Sequence, residues 1–171
     1  MKRDRIDLVL DDWTEERPDL STEALGIVLR IQALEKIFAE SVEDSLEDLD
    51  LEWFEYDVLA ALRRQGKPYR MTASEIAETV RLSTGAMTNR VDGLEEKGLV
   101  IRSNDPADRR RVVVSLTSRG KQLVDKASET RFKAADRALD CLTEQQLTRL
   151  NGLLKNLMCY NEEESRNPSL V

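Results

Sequence analysis

Between Met71 and Leu116 the spacing of apolar residues changes character twice. Ile76, Ala77 and Val80 recur at helical spacing, then Met87, Val91 and Leu94 do the same, and only Arg81-Leu82-Ser83 separates the two patterns. Thr72-Ala73-Ser74-Glu75 has the form of a capping box for the first helix, Ser83 caps the second, and Gly98 ends it. Two β-branched runs follow, Leu99-Val100-Ile101 and Val112-Val113-Val114, the latter continuing to Leu116. Between them lie the turn-forming Asn104-Asp105-Pro106-Ala107-Asp108 and three arginines, Arg109, Arg110 and Arg111. Helix, tight turn, helix and hairpin in that order predict a winged helix-turn-helix, whose second helix enters a major groove while the hairpin lies alongside.

The rest of the chain reads as helix around this module. Ile6, Val9, Leu10 and Trp13 form one stripe on a short helix from Arg3 to Arg17, stopped by Pro18, and the tryptophan needs a pocket. Ser21 is placed to cap a long helix whose apolar arc includes Leu25, Val28, Leu29 and Ile31. Trp53 to Gln65 predicts a third helix, with Phe54, Val58, Ala61 and Leu62 on its core edge, and Tyr69-Arg70-Met71 a short strand. Thr117 opens a helix to about Asp140, and Thr143-Glu144-Gln145-Gln146 opens another carrying Leu147, Leu150, Leu154 and Leu157. The fold class is therefore mainly α with a small β component (α+β), a winged helix-turn-helix with N- and C-terminal dimerisation helices. The segments are 1–50 for the N-terminal helices, 51–117 for the winged module and 118–171 for the C-terminal helices. Residues beyond Asn161 are expected to fray.

Charge is distributed to suit that plan. The chain has 26 Lys and Arg against 33 Asp and Glu, a net charge of −7 over 171 residues. Bulk attraction to nucleic acid is excluded, so DNA binding requires a local basic surface. Glu40 to Asp57 contains nine acids and no base, the part up to Asp50 reading as a solvated face or loop, whereas Arg81 to Lys121 contains nine bases and five acids. Histidine is absent, and no nucleophile elbow, phosphate loop or paired Cys-x-x-Cys is found. No enzymatic activity, cofactor or metal site is expected. No apolar run approaches the ~20 residues of a membrane span, and Asp4, Asp7, Asp11 and Asp12 interrupt the N-terminus where a signal peptide is apolar. The expectation is a soluble cytoplasmic protein that does not touch membrane.

Stepping about 100° per residue from Met87 puts Val91 and Leu94 on the inward edge of the second helix and Gly85, Asn89, Asp92 and Glu96 on the opposite side, with Thr88 between. Ser83, Thr84, Gly85, Thr88 and Asn89 are thus the candidate contacts of its N-terminal part with double-stranded DNA. On the wing, Asp108 can orient an arginine, Arg110 suits the minor groove, and Arg109 and Arg111 suit phosphates. Arg90 lies near the inward edge, where a guanidinium needs an acidic partner or an anionic ligand. Asp57, on or beside the apolar edge of its helix, also needs a partner.

The run from Leu82 to Leu123, with Asp108-Arg109-Arg110 in the wing and Leu116-Thr117-x-x-Gly120 at the strand-to-helix junction, resembles the MarR family of winged-helix transcriptional regulators. Trp13 to Leu20, Phe54 to Leu59 and Gly85 to Arg90 are similar to its urate-responsive and PecS-type branch, which has an added N-terminal helix. The resemblance implies a homodimer on a pseudo-palindromic operator, a repressor released by a small anionic aromatic ligand, urate-like or phenolic. It also implies a ligand set of Trp13, Asp57, Arg90 and Arg102, in which Asp57 pairs with Arg102 or Arg90 until the ligand takes Arg90 and repels Asp57. Gly93 departs from the branch, which carries an arginine there. Two other readings stay open: a thiol-based redox regulator using Cys141 or Cys159, and a helical dimer acting through protein partners without DNA.

Overall fold

In the computed structural model, residues 2–81, 83–105, 108 and 111–166 are described, without the side chains of Thr84 and Arg166. The chain divides into two units, Met1–Arg131 and Phe132–Val171. Helices α1 (Arg5–Glu16), α2 (Glu23–Glu47) and α3 (Trp53–Arg64) lead into strand β1 (Arg70–Thr72). Helices α4 (Ala73–Thr79) and α5 (Thr84–Glu96) precede the hairpin β2 (Val100–Asn104) and β3 (Val112–Leu116), and α6 (Ser118–Leu139) and α7 (Glu144–Arg166) complete the chain. The antiparallel sheet has the order β1-β3-β2, with Thr72 opposite Val113 and Val100 opposite Leu116.

Local signals set most boundaries. Thr72 Oγ1 accepts from Glu75 N at 3.2 Å while Glu75 Oε2 accepts from Thr72 N at 2.7 Å, a reciprocal capping box. Thr143 and Gln146 repeat it at α7. Gly98 ends α5 with φ 68°, a conformation that glycine adopts without strain. At α2 the expectation needs correcting: the helix begins after Thr22, not Ser21, and neither side chain caps it. The acidic run is also more helical than expected, since α2 continues to Glu47.

The core of the first unit joins α2, α3, α4, α5, the sheet and α6 through residues such as Leu46, Leu59, Leu62, Ile76, Met87, Leu94, Val114 and Val124. Tyr69 carries Arg63 and Lys121 near its ring, and both cations pair with Asp125, which ties α3 and β1 to α6. Thr117 Oγ1 accepts from Gly120 N at 2.9 Å, capping α6, and reaches the carbonyls of Gly98 and Leu99. Gly120 lies so close to Leu99 that a Cβ would overlap the Leu99 carbonyl oxygen and come within 2.9 Å of the carbonyl carbon. Helix α1 docks where α2 offers Gly26, against Leu10, and Arg30 grips Asp4 and Asp7 at its N-terminus. Trp13 finds no pocket among the described residues: it is 47% exposed.

Candidate nucleic-acid interface

Helix α5 starts immediately after a tight joint. Arg81 takes φ 54°, and Ser83 Oγ accepts from Ala86 N at 3.4 Å. Met87, Val91 and Leu94 are buried on one edge. Ser83, Gly85, Thr88 and Asn89 are exposed on the other side, as the angular reading requires. A Cβ at Gly85 would meet nothing within 4 Å, so the backbone there is open to close approach. The exposed hydroxyl and amide side chains can donate to and accept from base edges or phosphates.

The base of the wing is closed by backbone bonds: Asp105 N donates to Arg111 O at 2.9 Å, and Arg111 N donates to Asp108 O at 2.8 Å. Arg109, Arg110 and the Thr84 side chain lie outside the described residues. Arg111 shares a recess with Thr72, Glu75 and Glu78. The two Thr72 hydrogen bonds hold the Glu75 carboxyl below its ordinary range, and the Arg111 charge adds to this. Arg111 therefore also links the wing to α4.

Arg102 makes a second link. Its guanidinium donates to Asp92, to Thr88 O at 3.0 Å and to Glu95 Oε2 at 3.5 Å, and its backbone N donates to Glu95 Oε1 at 2.9 Å. Strand β2 is thereby fastened to α5 at Thr88, Asp92 and Glu95, along one side of the helix. This corrects the anticipated pairing of Arg102 with Asp57: the wing folds back over α5, whose acids are the nearer partners. Asp92, which angle alone placed on the outward face, is half-buried under that arginine.

Arg90 acts on Asp57 through its charge but makes no ion pair with it among the described residues. The Arg90 guanidinium lies over the Phe54 ring at 4.6 Å, a cation–π arrangement that orients it. Asp57, half-buried on α3, is faced by Arg64, Arg90 and Arg131. Burial pushes its carboxyl up from the ordinary value, and the three guanidinium charges pull it partly back. Arg131, from α6, lies over the Trp53 ring at 5.4 Å, and Trp53 stacks on Tyr56 at 5.7 Å. Arg64 and Arg131 escaped the sequence reading. The spacing Trp53, Asp57, Arg64 puts the first on the same helical face, whereas nothing local signals Arg131.

Glu55 is the charged residue buried in the core among the described residues, 5% exposed. Its carboxylate accepts from Glu52 N at 3.0 Å and from Lys97 Nζ at 2.8 Å. Lys97 also reaches Asp50 O at 3.3 Å, so the end of α5 is tied to the corner between α2 and α3.

Residues 48–111, which span α3 to the wing, match the model of the MarR family. The chain is 34% identical over 122 residues to the HTH-type transcriptional repressor MdtR of Bacillus subtilis, covering 71% of this chain and 76% of that protein. The chain belongs to the MarR family. It is 29% identical over 146 residues to the HTH-type transcriptional regulator PecS of Dickeya dadantii, covering 85% of this chain and 88% of PecS. A mutant MarR from E. coli, solved in complex with operator DNA, shares the fold with a TM-score of 0.67 at 24% identity, over 85% of this chain and 96% of that one. As a MarR-family member the protein is a transcriptional regulator and not an enzyme. No helix among the described residues is long and apolar enough to cross a membrane, and no group of metal-ligating side chains occurs among them.

Gly93, the departure from the branch, is half-buried, and a Cβ there would meet nothing within 4 Å. Its missing side chain is a difference in surface, not in packing. Cys141 and Cys159 are free and exposed.

Proposed function

We propose that this MarR-family protein is a homodimeric repressor that places α5 in successive major grooves of a pseudo-palindromic operator and leaves it when a small anionic aromatic ligand binds. The observation that carries the DNA-reading half is the polar, unobstructed N-terminal face of α5, fastened to the wing through Arg102. Ser83, Thr84, Gly85, Thr88 and Asn89 approach base edges and phosphates, Arg110 enters the minor groove under the influence of Asp108, and Arg109 and Arg111 meet phosphates. Exposed apolar side chains on α2 and α7, such as Ile27, Ile31, Leu153 and Leu157, support dimerisation.

The ligand half rests on Asp57 and Arg90. An anion that pairs with Arg90 repels the Asp57 carboxylate across the same face. Arg90 belongs to the recognition helix, so the effect reaches α5, and Arg102 carries it to the wing. Arg102 transmits in this scheme and does not contact ligand, while the exposed Trp13 ring is available for stacking. Ligand releases DNA only by binding the DNA-incompetent state more tightly.

Fluorescence anisotropy on DNA from the protein's own promoter region tests the reading. Asn89→Ala is expected to weaken binding at least tenfold. Urate or a phenolic acid is expected to release wild type, and Arg90→Ala to abolish release. Release undiminished in both Trp13→Phe and Arg90→Ala would remove the ligand site. A double Cys→Ser variant that still responds would dismiss a thiol switch, which the exposure of Cys141 and Cys159 alone favours.

A further inference from the structure

The face of α3 that carries Asp57 has more positive charge gathered on it than the carboxylate can neutralise. Arg64, Arg90 and Arg131 come from α3, α5 and α6 and all act on Asp57. Yet none of the three has a hydrogen-bond acceptor or an ion-pair partner within 4.0 Å among the described residues. Arg90 and Arg131 are instead laid on neighbouring rings, Phe54 and Trp53. Stacking occupies the face of a guanidinium and leaves its in-plane N–H forks free for a planar acceptor. Trp53 is itself held by Tyr56, whose hydroxyl lies 3.4 Å from Ser128 Oγ on α6.

We infer that this face is a binding site for an aromatic dicarboxylate, each carboxylate taken by one ring-stacked guanidinium, Arg90 for one and Arg131 for the other. The inference rests on the ligand-responsive reading above and adds Arg64, Arg131 and Trp53 to the site. Three guanidinium groups against one carboxylate leave a surplus of two positive charges, which a dianion cancels and a monoanion does not. The two rings belong to consecutive residues of α3, so one small ligand meets two separately seated guanidinium groups, one on each ring. Arg64, two helical turns from Asp57 on the same face, adds charge without a ring to orient it and is the less specific contributor.

Phthalate and benzoate separate these cases, since they differ by one carboxylate. Calorimetric titration of the full chain without DNA, at fixed ionic strength, is expected to give phthalate at least tenfold tighter than benzoate. Arg131→Gln is expected to erase that difference, whereas Arg119→Gln, at the start of α6 beside Gly98, keeps it. The tryptophan fluorescence of the full chain is expected to change saturably with phthalate through Trp53, and the change to be lost in Trp53→Phe, which leaves Trp13 in place. Equal affinities for the two acids, an unchanged preference in Arg131→Gln, or a silent Trp53 would overturn the site. Phthalate that binds as described without releasing DNA would sink the regulatory reading and leave this site standing.

Discussion

Asp57 and Gly120 illustrate two ways in which one residue limits the stability of this fold. The Asp57 carboxyl titrates above its ordinary value in the folded chain because burial outweighs three nearby guanidinium charges. The stability it contributes is therefore complete below the unfolded value, about 3.9, and is lost as pH rises through the higher folded value. At neutral pH the charged group is a net cost to folding. Asp57→Asn is expected to raise Tm slightly at pH 7, on the order of 1–2 °C, and the gain should disappear in melts below pH 4. A loss at neutral pH would show that the three arginines need the carboxylate more than burial opposes it. Gly120 is limited by space. An alanine methyl would run into the Leu99 backbone, which is fixed by Thr117 and cannot retreat as a side-chain tip could. Gly120→Ala should cost about 3 kcal/mol, a fall in Tm on the order of 10 °C, visible by circular dichroism.

At the scale of elements, α5 is held at both ends and along one side: by the Ser83 cap, by Lys97 on the buried Glu55, and by Arg102 on Asp92, Glu95 and Thr88 O. In the proposed reading, Thr88 and Asn89 meet DNA in register only while these ties hold. Arg102→Gln keeps a donor but cannot span three acceptors. It is expected to weaken DNA binding at least tenfold while lowering Tm by only a few degrees; equal DNA affinity would mean that the wing needs no anchor. The caps at Thr72, Ser83, Thr117 and Thr143 were legible because each depends on residues three apart. The buried edge of α5 was legible because helical geometry fixes it. Partners across elements were not: Asp57 was matched to Arg102 or Arg90 because all were expected in one site, and only the return of β2 over α5 shows that Asp92 and Glu95 are the nearer partners of Arg102. Arg131 was missed for the same reason, since nothing in its own helix reports the Trp53 ring beneath it. Trp13 was expected to find a pocket from its size, but it is 47% exposed among the described residues.

For the whole molecule, a net charge of −7 is set against nine bases and five acids between Arg81 and Lys121, and apolar side chains are exposed in both units. Acidic chains repel one another, so self-association needs apolar area enough to outweigh that repulsion. Leu153, Leu154 and Leu157 on α7 and Ile27, Ile31 and Leu34 on α2 are such area. The dimer and its grip on DNA should then respond oppositely to salt. Salt screens the repulsion between acidic chains and strengthens apolar association, whereas it weakens phosphate contacts, each of which adds about −0.9 to the slope of log K against log salt. With about six phosphates in contact, the slope would be near −5. Sedimentation of the free protein is expected to give twice the 19.5 kDa chain mass, with no dissociation as salt rises from 50 to 300 mM, while operator affinity falls steeply across the same range. Leu154→Glu, placed in the α7 stripe and far in sequence from the winged module, is expected to yield folded monomers that bind DNA at least a hundredfold more weakly. A wild-type monomer, or a Leu154→Glu monomer with full operator affinity, would show that one module suffices and that the exposed helices serve another purpose.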